Sequence, residues 1–131
     1  MREILFRAKR TSLNGWIEGF VSSPFRDTMC LFYELSTGKE WYVDDNTVGQ
    51  YTGLTDKNGK KIFEGDIVAG ALWWQEQPKN GLVTFRDGSF GLLWYRGKIE
   101  QFAPFTSMCN IVYEVIGTIH DNPELLKGGA E

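Results

Sequence analysis

The chain has 131 residues, 42% of them hydrophobic and 15% aromatic, enough apolar surface for one core or two small lobes without disulfides or a structural metal. Its net charge of −3 at pH 7 lacks the positive field with which nonspecific nucleic-acid binders hold phosphates. Fifteen glycines against four prolines favour tight turns, and so short strands over long helices. No apolar run reaches the ~18–20 residues that span a bilayer, and the start Met-Arg-Glu-Ile lacks the apolar stretch of a secretion signal. Cys30 and Cys109 stand in the apolar contexts MCLF and SMCNIV without Cys-x-x-Cys spacing, so buried reduced thiols in a cytoplasmic protein are expected. The basic residues Arg2, Arg7, Lys9 and Arg10 read as a solvated strand and turn.

Ile4, Phe6 and Ala8 alternate with Leu5, Arg7 and Lys9, the period of a strand. Asn14-Gly15 predicts a two-residue turn, with Trp16 to Val21 returning and SSPFRD breaking the pattern as a loop. Met29 to Leu35, a turn at STGK, and Glu40 to Val43 form a second pair. DDNTVGQ is read as one helical turn capped by Asp44 or Asp45, and as the hinge between two β lobes of a single domain, about residues 1–50 and 51–131.

In YTGLTDKNGKKIFEGDIVAG, a two-residue Asn58-Gly59 loop would set Lys57 opposite Lys60, Asp56 opposite Lys61, and Leu54 opposite Phe63. Glu64-Gly65-Asp66 then reverses the chain, and Ile67 to Trp74 is an apolar strand with Gly70 as a bulge or close-contact point. GLVTFRDGSFGLLW is the clearest hairpin. With Asp87-Gly88 as its turn, Phe85 faces Phe90 and Val83 faces Leu92, and Trp94 extends that apolar face. YRGKIEQFAPFTSM reads as an irregular cap, Asn110 to Ile119 as a strand, and Asn122-Pro123-Glu124 as the start of a short terminal helix. Eight to ten short strands of this kind predict a mainly β fold, a small barrel or roll with a short C-terminal helix.

Catalytic chemistry finds little support. His120 is the only histidine, and neither cysteine nor any serine has the frame of an activated nucleophile. Asp44, Asp45, Asp56, Glu64 and Asp66 are the best metal or acid–base candidates, yet aspartate is equally a turn and capping residue, and that reading is favoured. No catalytic residue, metal ligand or cofactor is assigned. Trp73, Trp74, Trp94 and Tyr95, with Arg86, Arg96 and Lys98 nearby in sequence, are the expected interaction surface.

The start MREILFRAK, the central VGQYTGLTDKNGKKIFEGDIV, the hairpin VTFRDGSFGLLW and the ending VYEVIGTIHDNPELL together resemble the YopX family of phage and prophage proteins. That resemblance implies a β-rich fold with an SH3-like C-terminal part and a gene expressed in a bacterial cytoplasm. It implies no activity and transfers no catalytic residue. Its motif residues Tyr51, Thr52, Gly53, Leu54, Asp56, Asn58, Gly59, Glu64, Gly65 and Asp66 are read as structural. The expectation is a non-enzymatic accessory protein that contacts a phage or host protein, or a second copy of itself, away from membranes. The alternative is a small β-barrel binding single-stranded nucleic acid.

Overall fold

A computed structural model of the chain describes residues 3–12, 15–70, 79–105 and 112–127, the side chains of 79, 96 and 127 excepted. It is mainly β and divides into two compact units, Met1–Tyr51 and Thr52–Glu131. The first holds β1 (Phe6–Lys9), β2 (Trp16–Arg26), β3 (Met29–Glu34), β4 (Glu40–Asp44), a 3-10 turn (Asp45–Thr47) and the start of β5 (Gly49–Thr55). The second holds the rest of β5, then β6 (Lys61–Phe63), β7 (Asp66–Gly70), β8 (Lys79–Arg86), β9 (Ser89–Arg96), β10 (Ile99–Pro104), β11 (Glu114–Thr118) and α1 (Glu124–Lys127).

In the first unit the antiparallel order is β4-β3-β2-β1-β5. Lys9 pairs with Trp16, and Arg10 N–H donates to the Gly15 carbonyl at 3.0 Å. The connection is therefore longer than an Asn14-Gly15 turn; Leu13 and Asn14 themselves lie outside the described residues. The expected loop at 22–27 is instead strand as far as Arg26. β2 runs on to Arg26 through two register shifts, at Val21/Ser23 and Pro24/Arg26, and turns at Asp27-Thr28. Bulges accommodate Pro24, which has no N–H to give, because this stretch of β2 has only β3 as a neighbour.

The sheet curls enough that Arg10 bridges Val43 on the far strand, and Thr11 N–H reaches the Tyr42 carbonyl at 3.1 Å. Inside the curl pack Ala8, Ile17, Cys30, Phe32 and Val43, with Phe6, Trp41 and Val48 against them. Burying Phe32 alone contributes roughly 2–3 kcal/mol. Arg7 departs from the solvated reading: it is 8% exposed, its guanidinium 4.6 Å from the Trp16 ring centroid. Asp44 caps the 3-10 turn as predicted, its Oδ1 accepting Asn46 N–H at 3.0 Å.

In the second unit β6 lies beside β5, and a five-stranded antiparallel sheet has the order β10-β9-β8-β7-β11. The Asp87-Gly88 hairpin has the predicted register, Phe85 opposite Phe90 and Val83 opposite Leu92, and Asp87 takes a φ of 53°. Its Val83–Leu92 face joins Ile62, Val68 and Tyr113 in the core, with Leu54, Trp94, Phe105, Val112 and Val115 packed against them. The expected irregular cap at 95–108 is regular up to Pro104. Gly97-Lys98 makes a two-residue turn, so Ile99 pairs with Arg96 and β10 becomes an edge strand, where Pro104 is tolerated. Among the described residues no pairing joins β10 to β11. The terminal helix forms after Asn122-Pro123, and Asn80 Nδ2 on β8 donates to its Leu125 carbonyl at 2.9 Å.

Candidate functional site: the docked hairpin and the outer aromatic faces

The hairpin at Asp56–Lys60 departs from the two-residue turn. Asp56 N–H donates to the Lys60 carbonyl at 2.8 Å and Gly59 N–H to the Asp56 carbonyl at 3.0 Å, with Gly59 at a φ of 80°. This is a three-residue loop closed by a glycine bulge, which shifts the expected Asp56–Lys61 pairing by one residue. The Asp56 side chain explains the choice. Its Oδ1 accepts the N–H groups of Asn58 and Lys60, both at 2.9 Å, and Oδ2 accepts Val115 N–H at 2.9 Å on β11. Lys57 N–H reaches the Tyr113 carbonyl at 2.9 Å, Lys57 Nζ lies 3.7 Å from Glu114 Oε1, and Asn58 Nδ2 donates to Glu114 Oε2 at 3.4 Å. The hairpin tip is thus docked on β11 through a buried carboxylate. Burial would raise the Asp56 pKa, but the three N–H groups and the Lys60 charge outweigh it and hold the carboxyl below its usual range.

The rest of the motif is spent the same way. Asp66 is fully buried, and its Oδ2 accepts Phe63 N–H at 2.8 Å across the Glu64-Gly65 reversal. Gly65 gives its N–H to the Val83 carbonyl and takes that of Ile119, both at 2.9 Å. Thr52 Oγ1 donates to the Ile62 carbonyl at 2.8 Å, Tyr51 N–H to the Leu5 carbonyl at 2.8 Å, and Leu54 packs on the core. Gly53, like Gly59, has a positive φ, and Glu64 is half-buried. Among the described residues no three His, Cys, Asp or Glu side chains gather as a metal site would require. His120 is exposed beside the turn into α1. Cys30 is a buried thiol, its pKa raised by desolvation first and by Asp45 second.

The expected interaction residues do not share one face. Trp94 points to the core side with Val83 and Leu92, whereas Tyr95, next along the strand, points to the other side. There the Tyr95 hydroxyl donates to Glu100 Oε2 at 3.4 Å, and Arg86 pairs with Glu100 while its guanidinium lies 5.5 Å from the Phe102 ring centroid. Lys98 is exposed in the β9–β10 turn. Trp73 and Trp74 lie outside the described residues, as does the Arg96 side chain.

A second aromatic face belongs to the first unit, and sequence reasoning passed over it. Trp41 and Val43 point inward on β4, so Glu40, Tyr42 and Asp44 point outward, all exposed. Beside them stand Leu31 and Tyr33 on β3 and Phe20 on β2, by the pairings Leu31–Tyr42, Tyr33–Glu40 and Phe20–Tyr33. Phe25 joins them with its ring 4.7 Å from that of Tyr42. The alternation in EWYVD carried the signal.

Fold and site together define a two-unit antiparallel β protein whose acidic turns hold backbone and which leaves several aromatic rings exposed. The chain belongs to the YopX family: the model of that family, described as YopX protein, matches residues 6–127. A solved structure, the crystal structure of protein EF1440 from Enterococcus faecalis, is similar at 26% identity and a TM-score of 0.55, covering 96% of this chain and 99% of that one. None of the curated proteins compared matches. Among the described residues no helix is long and apolar enough to cross a membrane.

Proposed function

We propose that the chain is a non-enzymatic accessory protein of a phage or prophage, working in the bacterial cytoplasm by contact with another protein. Residues 51–131 would act as an SH3-like lobe. The observation that supports this reading is the division of labour among the polar and aromatic groups. Of the five candidate carboxylates, Asp56 and Asp66 are buried and accept backbone N–H groups, and Asp44 caps a turn. The aromatic rings of Phe20, Phe25, Tyr33, Tyr42, Phe85 and Tyr95 stand at the surface instead, as at protein interfaces.

Affinity capture from infected or prophage-induced cells tests it, with Tyr33→Ser, Tyr42→Ser and Tyr95→Ser variants checked for folding by circular dichroism. A protein held by the wild type and lost from one variant is the expected result; equal capture by all four sinks the surface assignment. Single-stranded nucleic acid is disfavoured because Arg86, a cation of the supposed groove, is paired with Glu100. A salt-sensitive shift of a labelled oligonucleotide at micromolar protein would overturn that judgement. Thermal-shift screens with Mg²⁺, Mn²⁺ and Zn²⁺ are expected to give no response.

A further inference from the structure

We infer that the outer face of the first unit's sheet is the interface of a two-fold homodimer whose axis runs along β3; this names the partner within the protein-contact reading above. Phe20, Phe25, Tyr33 and Tyr42 are 37%, 44%, 39% and 45% exposed, although all four are large and aromatic. With Leu31 between them they leave on the order of 300–400 Å² of apolar side chain uncovered. That is below the roughly 800 Å² per partner of a standard interface and fits a weak, concentration-dependent dimer.

The charges at the rim choose the symmetry. Arg26, Met29 and Asp44 form one cross-strand row, with the cation on β2 and the carboxylate on β4, both exposed. The Arg26 guanidinium lies 5.1 Å from the Phe25 ring centroid, which anchors it over the face. A two-fold axis along β3 exchanges the flanking strands, so Arg26 of each copy meets Asp44 of the other. Both pairs form at once, and Leu31 and Tyr33 meet their own counterparts on the axis. Face-packed sheets lie about 10 Å apart, a gap that an arginine and an aspartate close together. A two-fold across the strands would instead set Asp44 against Glu40, carboxylate against carboxylate, and is disfavoured.

Sedimentation equilibrium on the full chain tests this over about 1–500 μM, a range that covers the dissociation constants of weak interfaces. Concentration-dependent dimerisation is expected. Arg26→Glu and Asp44→Lys should each raise the dissociation constant about tenfold or more, and the double exchange should restore it to within about threefold. Because Asp44 also caps a turn, Tyr33→Glu supplies a variant free of that role; placing two carboxylates on the axis, it should give a monomer. Circular dichroism and melting must show all variants folded. A wild type that stays monomeric overturns the proposal, as does a dimer indifferent to the charge reversals or a double exchange no better than the singles. A monomer that still captures a partner through Tyr95 rejects the dimer alone, whereas a monomer that captures nothing rejects the protein-contact reading as well.

Discussion

Asp56 shows how much one side chain can organise. Three backbone N–H groups from two segments converge on its carboxylate, and each hydrogen bond to a charged group is worth about 1.5–3 kcal/mol net. Asp56→Ala should therefore cost about 3 kcal/mol or more in urea unfolding, and Asp56→Asn less, because one acceptor oxygen remains. The same carboxyl sets a pH dependence. Its folded pKa lies below the unfolded value of about 3.9, so its contribution is complete above that value and is lost as pH falls through the folded one. Glu34 acts in the same direction: hydrogen bonds from Thr37 first, then Trp41 and Ser36, hold its carboxyl low. Urea midpoints measured down from about pH 5 should fall for the wild type and fall less for Asp56→Asn. Gly91 is limited by space instead. A Cβ there would sit 2.5 Å from the Ala103 carbonyl and 2.5 Å from the Phe102 ring, so Gly91→Ala should cost about 1–3 kcal/mol and loosen β10 in hydrogen exchange.

At the scale of elements, the terminal helix is short and depends on its mooring. Asn80→Ala removes the donor to the Leu125 carbonyl and should cost about 1 kcal/mol, with faster exchange confined to residues 124–127. The hairpins show why some elements were legible in the sequence and others were not. Asp87-Gly88 sits between matched apolar runs, and the turn chemistry and the hydrophobic register agree, so the reading held. Asn58-Gly59 has the same dipeptide signature, but the Asp56 side chain favours the bulged loop, and part of that preference comes from Val115 in another strand. Pairwise reading of neighbours cannot see such a contact. Ser-Pro at 23–24 and Pro104 read as breaks because proline usually interrupts strands. Here one is absorbed by a bulge and the other ends an edge strand. The outer aromatic face was overlooked because rings in a strand read as core until the partner strands fix which side is inside.

For the whole molecule, the decisive fact is that each unit has its own apolar cluster, one around Phe32 and one around Val83 and Leu92. Phe32→Ala should cost about 3–5 kcal/mol. Hydrogen-exchange mass spectrometry should then find protection lost across residues 6–51 while amides of β7 to β9 keep theirs; a uniform loss would contradict two separately sustained cores. The bridge from Arg10 to Val43 has a consequence of another kind. β4 is an outer strand rich in aromatic residues, and an open strand of that composition is a template on which unfolded or nascent chains add and grow into fibrils. By laying the Arg10–Thr11 backbone along β4, the chain blocks that route with its own main-chain groups. In the dimer proposed above, copies would then meet on this side through side chains, face to face, in an assembly that stops at two.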